Sequence, residues 1–239
     1  MRVEKQLAGL NRRVVNCRKC ARLVRYREKV ARAKRRMFRD WDYWGRPVPG
    51  FGDPRAKLLV LGLAPAAHGG NRTGRVFTGD RSGDFLFGAL YDAGFANQAN
   101  SDHREDGLKL RGAYVTAGVR CCPPKNRPTR KEQRNCRAYL EEEFRLLTHL
   151  RAVLALGRIA HDTYLRLLKD FGQIERLAAF PFAHGAQHEL PAPKVAGASQ
   201  KAIRLFDSFH PSQQNTQSGR LTPAMFSRVL RQVRDYLRG

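Results

Sequence analysis

The sequence predicts an α/β fold, a parallel sheet with helices on both faces, and three observations carry that reading. Four short apolar runs of the kind that fill strands buried on both faces recur along the chain, at Lys57 to Leu63, Ala113 to Thr116, Ala152 to Gly157 and Ile203 to Phe206. Helix-patterned stretches separate and follow them, over 84–93, 131–150, 158–168 and 223–237. A chain of 239 residues with 42% hydrophobic content can bury a full core, so one large domain is expected rather than two.

The elements follow in order. Roughly the first thirty residues read as helix, because Leu7, Leu10, Val14 and Val15 fall near helical spacing; the pair Cys17-x2-Cys20 follows at the end of that pattern. The connector Tyr43-Trp44-Gly45-Arg46-Pro47-Val48-Pro49-Gly50-Phe51 combines breakers with aromatics, which predicts a packed loop. Lys57 to Leu63 is the first strand. In parallel sheets ligands bind beyond the carboxyl ends of the strands, which selects the loops after Leu63, Thr116, Leu156 and Phe206.

Charge narrows the partner. Lys plus Arg number 45 against 21 Asp plus Glu, a formal net charge of +24. Runs such as Arg32-Ala33-Lys34-Arg35-Arg36 and Arg127-Pro128-Thr129-Arg130-Lys131 make a field that attracts phosphate, and arginine adds bidentate contacts and stacking. Nucleic acid is the expected partner, in preference to a membrane, which more typically selects an amphipathic helix with a bulky apolar face. The first residues lack the apolar run of a signal peptide, and no stretch approaches the roughly 18 apolar residues of a membrane span. The expected compartment is the reducing cytosol. There five cysteines are better explained by ligation plus one spare than by disulfides.

Cys121 and Cys136 bracket a proline-rich loop, Cys121-Cys122-Pro123-Pro124-Lys125-Asn126-Arg127-Pro128-Thr129, far along the chain from Cys17 and Cys20. That spacing is too wide for a compact zinc finger, so folding must join the two pairs around a metal or cluster. Two loops beyond strand ends are long, polar and glycine-bearing. The first runs Gly62-Leu63-Ala64-Pro65-Ala66-Ala67-His68-Gly69-Gly70-Asn71-Arg72-Thr73-Gly74-Arg75-Val76-Phe77-Thr78-Gly79-Asp80. The second runs His210-Pro211-Ser212-Gln213-Gln214-Asn215-Thr216-Gln217-Ser218-Gly219-Arg220-Leu221-Thr222. Backbone amides, a histidine and a stacking aromatic can converge there on one ligand. Neither loop contains G-x-x-x-x-G-K-[ST] or G-x-G-x-x-G, which disfavours a nucleotide cofactor.

These two loops resemble the active-site motifs of the fifth family of uracil-DNA glycosylases, the B-type enzymes, and the cysteine segments resemble that family's cluster-binding segments. The similarity runs from about residue 14 to the C-terminus, with three long motifs in the family's order. It implies a single domain over 1–239, residues 1–50 being an N-terminal helix and cluster-ligand segment packed on the core. It implies a three-layer α/β fold with a central four-stranded parallel sheet and an iron–sulfur cluster loop. It implies hydrolysis of the N-glycosidic bond of uracil in DNA, with hypoxanthine and xanthine as further substrates. A preference for deaminated purines is the alternative within that class, and a non-catalytic, metal-stapled nucleic-acid module is the alternative outside it. The DNA substrate implies association with the nucleoid, and a monomer is the expected state.

The same resemblance assigns residues. His210 is the hydrogen-bond donor to uracil O2, where negative charge develops as the base departs, so it stabilises the transition state more than the ground state. Phe77 stacks on the flipped base. Asn126 takes the role of water holder, with Asp80 a second polar candidate, because Leu63-Ala64-Pro65-Ala66 carries no side chain able to orient water. A neutral amide is a poor base, so bond breaking is expected to run well ahead of water attack. Gly62, Ala64 and His68 complete the base pocket; Arg75, Gln213, Gln214, Asn215 and Arg220 contact DNA. Cys17, Cys20, Cys121 and Cys136 hold a [4Fe-4S] cluster, and zinc is the alternative that four thiolates also accept.

Overall fold

The structure, a computed structural model, describes residues 2–194 and 202–239. Six strands form one sheet: β1 (Phe51–Gly52), β2 (Leu58–Gly62), β3 (Ala113–Ala117), β4 (Ala152–Leu156), β5 (Gln187–Leu190) and β6 (Ile203–Ser208). Their spatial order is β1-β3-β2-β4-β6-β5. Pairings β3–β2, β2–β4 and β4–β6 are parallel, whereas β1 and β5 are antiparallel to their neighbours.

The sheet is therefore wider than the four strands expected. β1 is only two residues long, held where Asp53 accepts the Gly112 amide at 2.8 Å. β5 reads Gln-His-Glu-Leu and has no apolar signal, yet an open edge of β6 needs backbone partners, and pairing satisfies them.

The helices among the described residues are α1 (Arg2–Val15), α2 (Ala21–Ala33), α3 (Gly70–Thr73), α4 (Arg81–Asp92), α5 (Arg130–Leu146), α6 (Arg158–Asp170), α7 (Gln213–Gln217) and α8 (Pro223–Arg238). Alternation in the strands feeds two layers. Leu58, Val60, Val115, Leu154 and Phe206 face α4 and α8, packing on Leu86, Phe87, Leu90, Phe226 and Val229. Leu59, Leu61, Tyr114, Val153, Ala155 and Leu205 face α1, α5 and α6, packing on Leu7, Leu10, Tyr139, Phe144 and Tyr164. Each fully buried Leu or Phe contributes about 1.5–3 kcal/mol of transfer free energy.

The expected long N-terminal helix is two helices. Leu7, Leu10 and Val14 do form the buried stripe of α1, but the amide of Cys17 bonds back to Val14 O at 3.0 Å, tightening and ending the helix. Cys20, in extended conformation, then precedes α2. The break leaves Cys17 and Cys20 outside regular helix. Among the described residues no helix is long and apolar enough to cross a membrane.

Candidate active site and cysteine cluster

β2 and β4 are neighbours, but the chain leaves β2 towards β3 and leaves β4 towards β6, so the loops beyond their ends part and open a crevice. Both ends carry glycine, and both need it. A Cβ on Gly62 would lie 2.7 Å from the Phe77 ring; a Cβ on Gly157, itself at φ 92°, would lie 3.2 Å from His210 Cβ. The glycines thus let Phe77 and His210 approach the strand ends, and the two rings meet with centroids 5.7 Å apart. Phe77 holds this position with φ 50°, a left-handed conformation unfavourable for a bulky residue and often found at functional sites.

Burial drives the His210 imidazole down to about 4, so it is neutral at physiological pH. Its backbone is fixed from behind: Asn215 Nδ2 donates to His210 O at 2.8 Å, and Asn215 O accepts the Leu221 amide at 3.0 Å. Three residues earlier, Asp207 Oδ1 lies 2.8 Å from His161 Nδ1, while His161 Nε2 donates to Phe180 O at 2.9 Å. His188 lies beside the same carboxylate, 3.6 Å from it. Both nitrogens of His161 are spent on protein partners, so this trio braces the end of β6.

The loop after β2 is a buried frame. Asn71, Arg72, Thr73 and Arg75 all lie inside the protein. Arg72 donates to His68 O at 2.8 Å and Gly79 O at 2.6 Å, with its guanidinium 3.9 Å from the ring centroids of Phe38 and Trp41. Arg75, expected to contact DNA, is instead 3% exposed and makes a bidentate pair with Asp106, at 2.8 and 2.6 Å, while also bonding Thr78 and Ser101. Burial raises the Asp106 carboxyl, but Arg75 and the backbone amides outweigh it and hold it at about 2. Arg75 is therefore a structural clasp unavailable to phosphate.

Asp80 is the N-cap of α4: Oδ1 accepts the Ser82 and Gly83 amides, each at 3.0 Å. Its Oδ2 occupies the space a Gly69 side chain would fill, so the carboxyl faces the first loop; burial raises its pKa against the opposing amides. His68 is tethered through Nδ1 to Tyr43 OH at 3.0 Å, and burial, then the charges of Arg35 and Arg72, lower its pKa. Tyr43, Trp44 and Asp106 were not singled out from sequence as parts of this frame. The breaker-and-aromatic connector was the available signal for the first two, since Trp44 packs on Gly74 and its amide bonds Arg72 O at 2.9 Å.

The second loop turns outwards. Ser212 caps α7 through the Asn215 amide, and Gln213 and Gln214 are exposed on it. Arg220 is exposed too, its guanidinium 4.6 Å from the Phe209 ring centroid. Asn215 is half-buried and spends its amide on His210, which places it behind that histidine rather than on a DNA-facing surface.

Asn126 is exposed, in a short turn where both Lys125 and Asn126 have φ 54°. The turn belongs to the loop after β3, whose Val119 amide bonds Leu63 O at 2.9 Å, fixing that loop against the first one. Among the described residues no hydrogen bond or ring contact joins Asn126 to His210 or Phe77.

Cys121 and Cys136 pack with Leu23 and Val119, and Cys20 and Ala64 pack against that group. Ala64 thus lies on the cysteine cluster. The charges of Cys136, Cys17 and Cys122 raise the Cys121 thiol, and those of Cys20 and Cys17 raise the Cys136 thiol. Burial pushes the Cys136 thiol up to about 11 and Cys121 further, so neither would ionise without a cation to bind. Zinc at its roughly 2.3 Å bonds draws tetrahedral thiolates to about 3.8 Å from one another. Four thiolates suit either zinc or an iron–sulfur cluster. Asn135 Nδ2 donates to Cys20 Sγ at 3.3 Å, the outer-shell bond expected for a ligand sulfur.

The sequence model of the Uracil DNA glycosylase superfamily matches residues 49–234. The chain is 50% identical over 218 residues to the Type-5 uracil-DNA glycosylase of Thermus thermophilus, covering 91% of this chain and 92% of that protein. It is 48% identical over 229 residues to the Type-5 uracil-DNA glycosylase of Mycobacterium tuberculosis, covering 95% and 81%. It is 44% identical over 221 residues to that of Pyrobaculum aerophilum, covering 92% and 89%.

Proposed function

We propose, from the premise that the chain belongs to the uracil DNA glycosylase superfamily, that it excises uracil from DNA by hydrolysing the N-glycosidic bond, leaving an abasic site and starting base excision repair. The observation that carries the residue assignment is the convergence of Phe77 and a neutral His210 at glycine-bearing strand ends. A flipped base stacks on Phe77, and His210 donates an N–H to uracil O2. The C1′–N1 bond breaks with its electron pair passing to the base, spread onto O2, while the sugar becomes an oxocarbenium ion. A neutral imidazole suits this step, because it still carries an N–H to donate to the developing anion. Water then adds to C1′ and gives up a proton to solvent, and the departing uracil anion takes up a proton as it leaves.

Asn126 holds that water, and the second oxygen of Asp80, beside Gly69, is the alternative holder. The oxocarbenium ion is reactive enough for weakly activated water. Gln213 and Gln214 approach the strand beside the lesion and Arg220 meets phosphate, consistent with their exposure. Because stacking is tolerant of base identity, hypoxanthine and xanthine are substrates as well. Cys17, Cys20, Cys121 and Cys136 hold a [4Fe-4S] cluster, supported by the packing of Cys20, Cys121 and Cys136 in one group and by the Asn135 bond to Cys20. When bound, the cluster staples the break between α1 and α2 to the loop after β3.

The test is purified protein on duplexes carrying one uracil, hypoxanthine or xanthine, with EDTA present and alkali to cut abasic sites, beside His210→Ala. Strand scission by the wild type and a much slower variant are expected. Tight DNA binding with no scission on any duplex would overturn the reading.

A further inference from the structure

Leu23 and Arg27 stand four residues apart on α2, just beyond its N-cap Cys20, so they share one helical face, and Leu23 on that face packs with Cys121 and Cys136. Arg27 is 2% exposed, and its Nε and Nη1 have no hydrogen-bond partner. Its ion pair, Nη2 to Glu28 Oε1, is long at 3.7 Å, and Glu28 is already held by Arg18 at 2.6 Å. Arginine cannot relieve burial by losing its proton, so a buried guanidinium whose ion pair is this long and whose Nε and Nη1 are unbonded calls for a closer anion. DNA phosphate cannot reach a side chain this enclosed. Its helical neighbour one turn earlier, Leu23, packs directly on Cys121 and Cys136, which sets this buried guanidinium beside the cysteines.

We propose that Arg27 is the cationic partner of the cysteine-held cluster, its buried Nε and Nη1 donating to the cluster's sulfurs. The inference rests on the iron–sulfur reading above. Four thiolates around such a cluster leave net negative charge, and hydrogen bonds to the sulfurs are a main means by which a protein adjusts it. The same residue reaches the base pocket from its other end, because Arg27 O accepts Asn71 Nδ2 at 3.2 Å and Asn71 belongs to the buried frame of the first loop. Arg27 therefore joins the cluster to the loop that carries Phe77.

The test compares wild type with Arg27→Gln and Arg27→Lys, purified without oxygen, for iron and sulfide per chain and for decay of the cluster's visible absorbance under a chelator. Arg27→Gln is expected to lose iron 10- to 100-fold faster, the range for outer-shell changes at metal sites. Arg27→Lys, which keeps the charge but not the fork of donors, falls between. Should Arg27→Gln fail to fold, the lysine variant decides: loss at the wild-type rate would overturn the proposal. Equal retention in both variants would do the same. Wild-type protein free of iron and sulfide would remove the cluster reading itself, a result visible before any variant is made.

Discussion

In the loop after β2, Asn71, Arg72, Thr73 and Arg75 are buried and their polar atoms turn inwards, whereas in the loop after β6 Gln213, Gln214 and Arg220 are exposed. Both loops are glycine-bearing, polar and supplied with arginine. The difference lies in what backs them. The first loop is enclosed by Phe38, Trp41, Trp44 and the Asp106 turn, which stack rings on Arg72 and pair Arg75, and Phe77 is carried against the strand end. The second is anchored through Asn215 and the buried Leu221, while Gln213, Gln214 and Arg220 stay exposed to a partner. One loop builds the pocket and the other reaches outwards.

Breaking the Arg75 clasp tests that contrast most severely. Arg75→Ala leaves Asp106 buried without its partner and is expected to cost about 3–5 kcal/mol in urea unfolding. A normally stable variant with weakened DNA binding would instead make Arg75 a surface contact. His210→Ala is expected to slow single-turnover excision about 10²- to 10³-fold, or roughly 2.7–4 kcal/mol, with DNA affinity unchanged. Gly62→Ala forces a methyl into the Phe77 ring and should lower excision through about 1–3 kcal/mol of overpacking, with a partial rescue by Phe77→Leu.

A pH series sharpens the comparison further. With the folded His210 depressed from 6.5 to about 4, excision should show no inflection near 6.5 and fall only as pH approaches 4. The Arg75–Asp106 contribution to stability, from a carboxyl depressed from 3.8 to about 2, is fully present above 3.8 and is lost as pH falls through about 2. The smallest effect belongs to the outer loop. Arg220→Ala should leave stability unchanged and reduce the salt slope of duplex binding by about 0.9, measured as log affinity against log salt.

Legibility followed the range of the forces involved. Leu58 to Gly62 announces a strand buried on both faces because every residue is apolar, and Leu7, Leu10 and Val14 announce α1 because their spacing matches one turn of helix. β5 was illegible because its signal is an unpaired edge on another strand, and α7 because a Ser212 cap inside a polar run looks like any turn. Phe77, His210 and the four cysteines were marked by long motifs. The buried state of Arg75 was not, since its partner Asp106 lies 31 residues away in a segment with no pattern of its own.

The amino-acid sequence by itself determined the layers of the fold, the four parallel strands, the loops at their carboxyl ends and the family to which the chain belongs, because apolar periodicity and motif order are local properties. Tertiary structure decided which charges are solvated. Arginines 27, 72, 75 and 220 are chemically identical in the sequence, and only the packing around each one makes it an enclosed guanidinium on α2, a ring-stacked brace, a carboxylate clasp or an exposed contact. The reason is desolvation: the free energy of a guanidinium depends on what surrounds it, and that is set by residues distant in the chain.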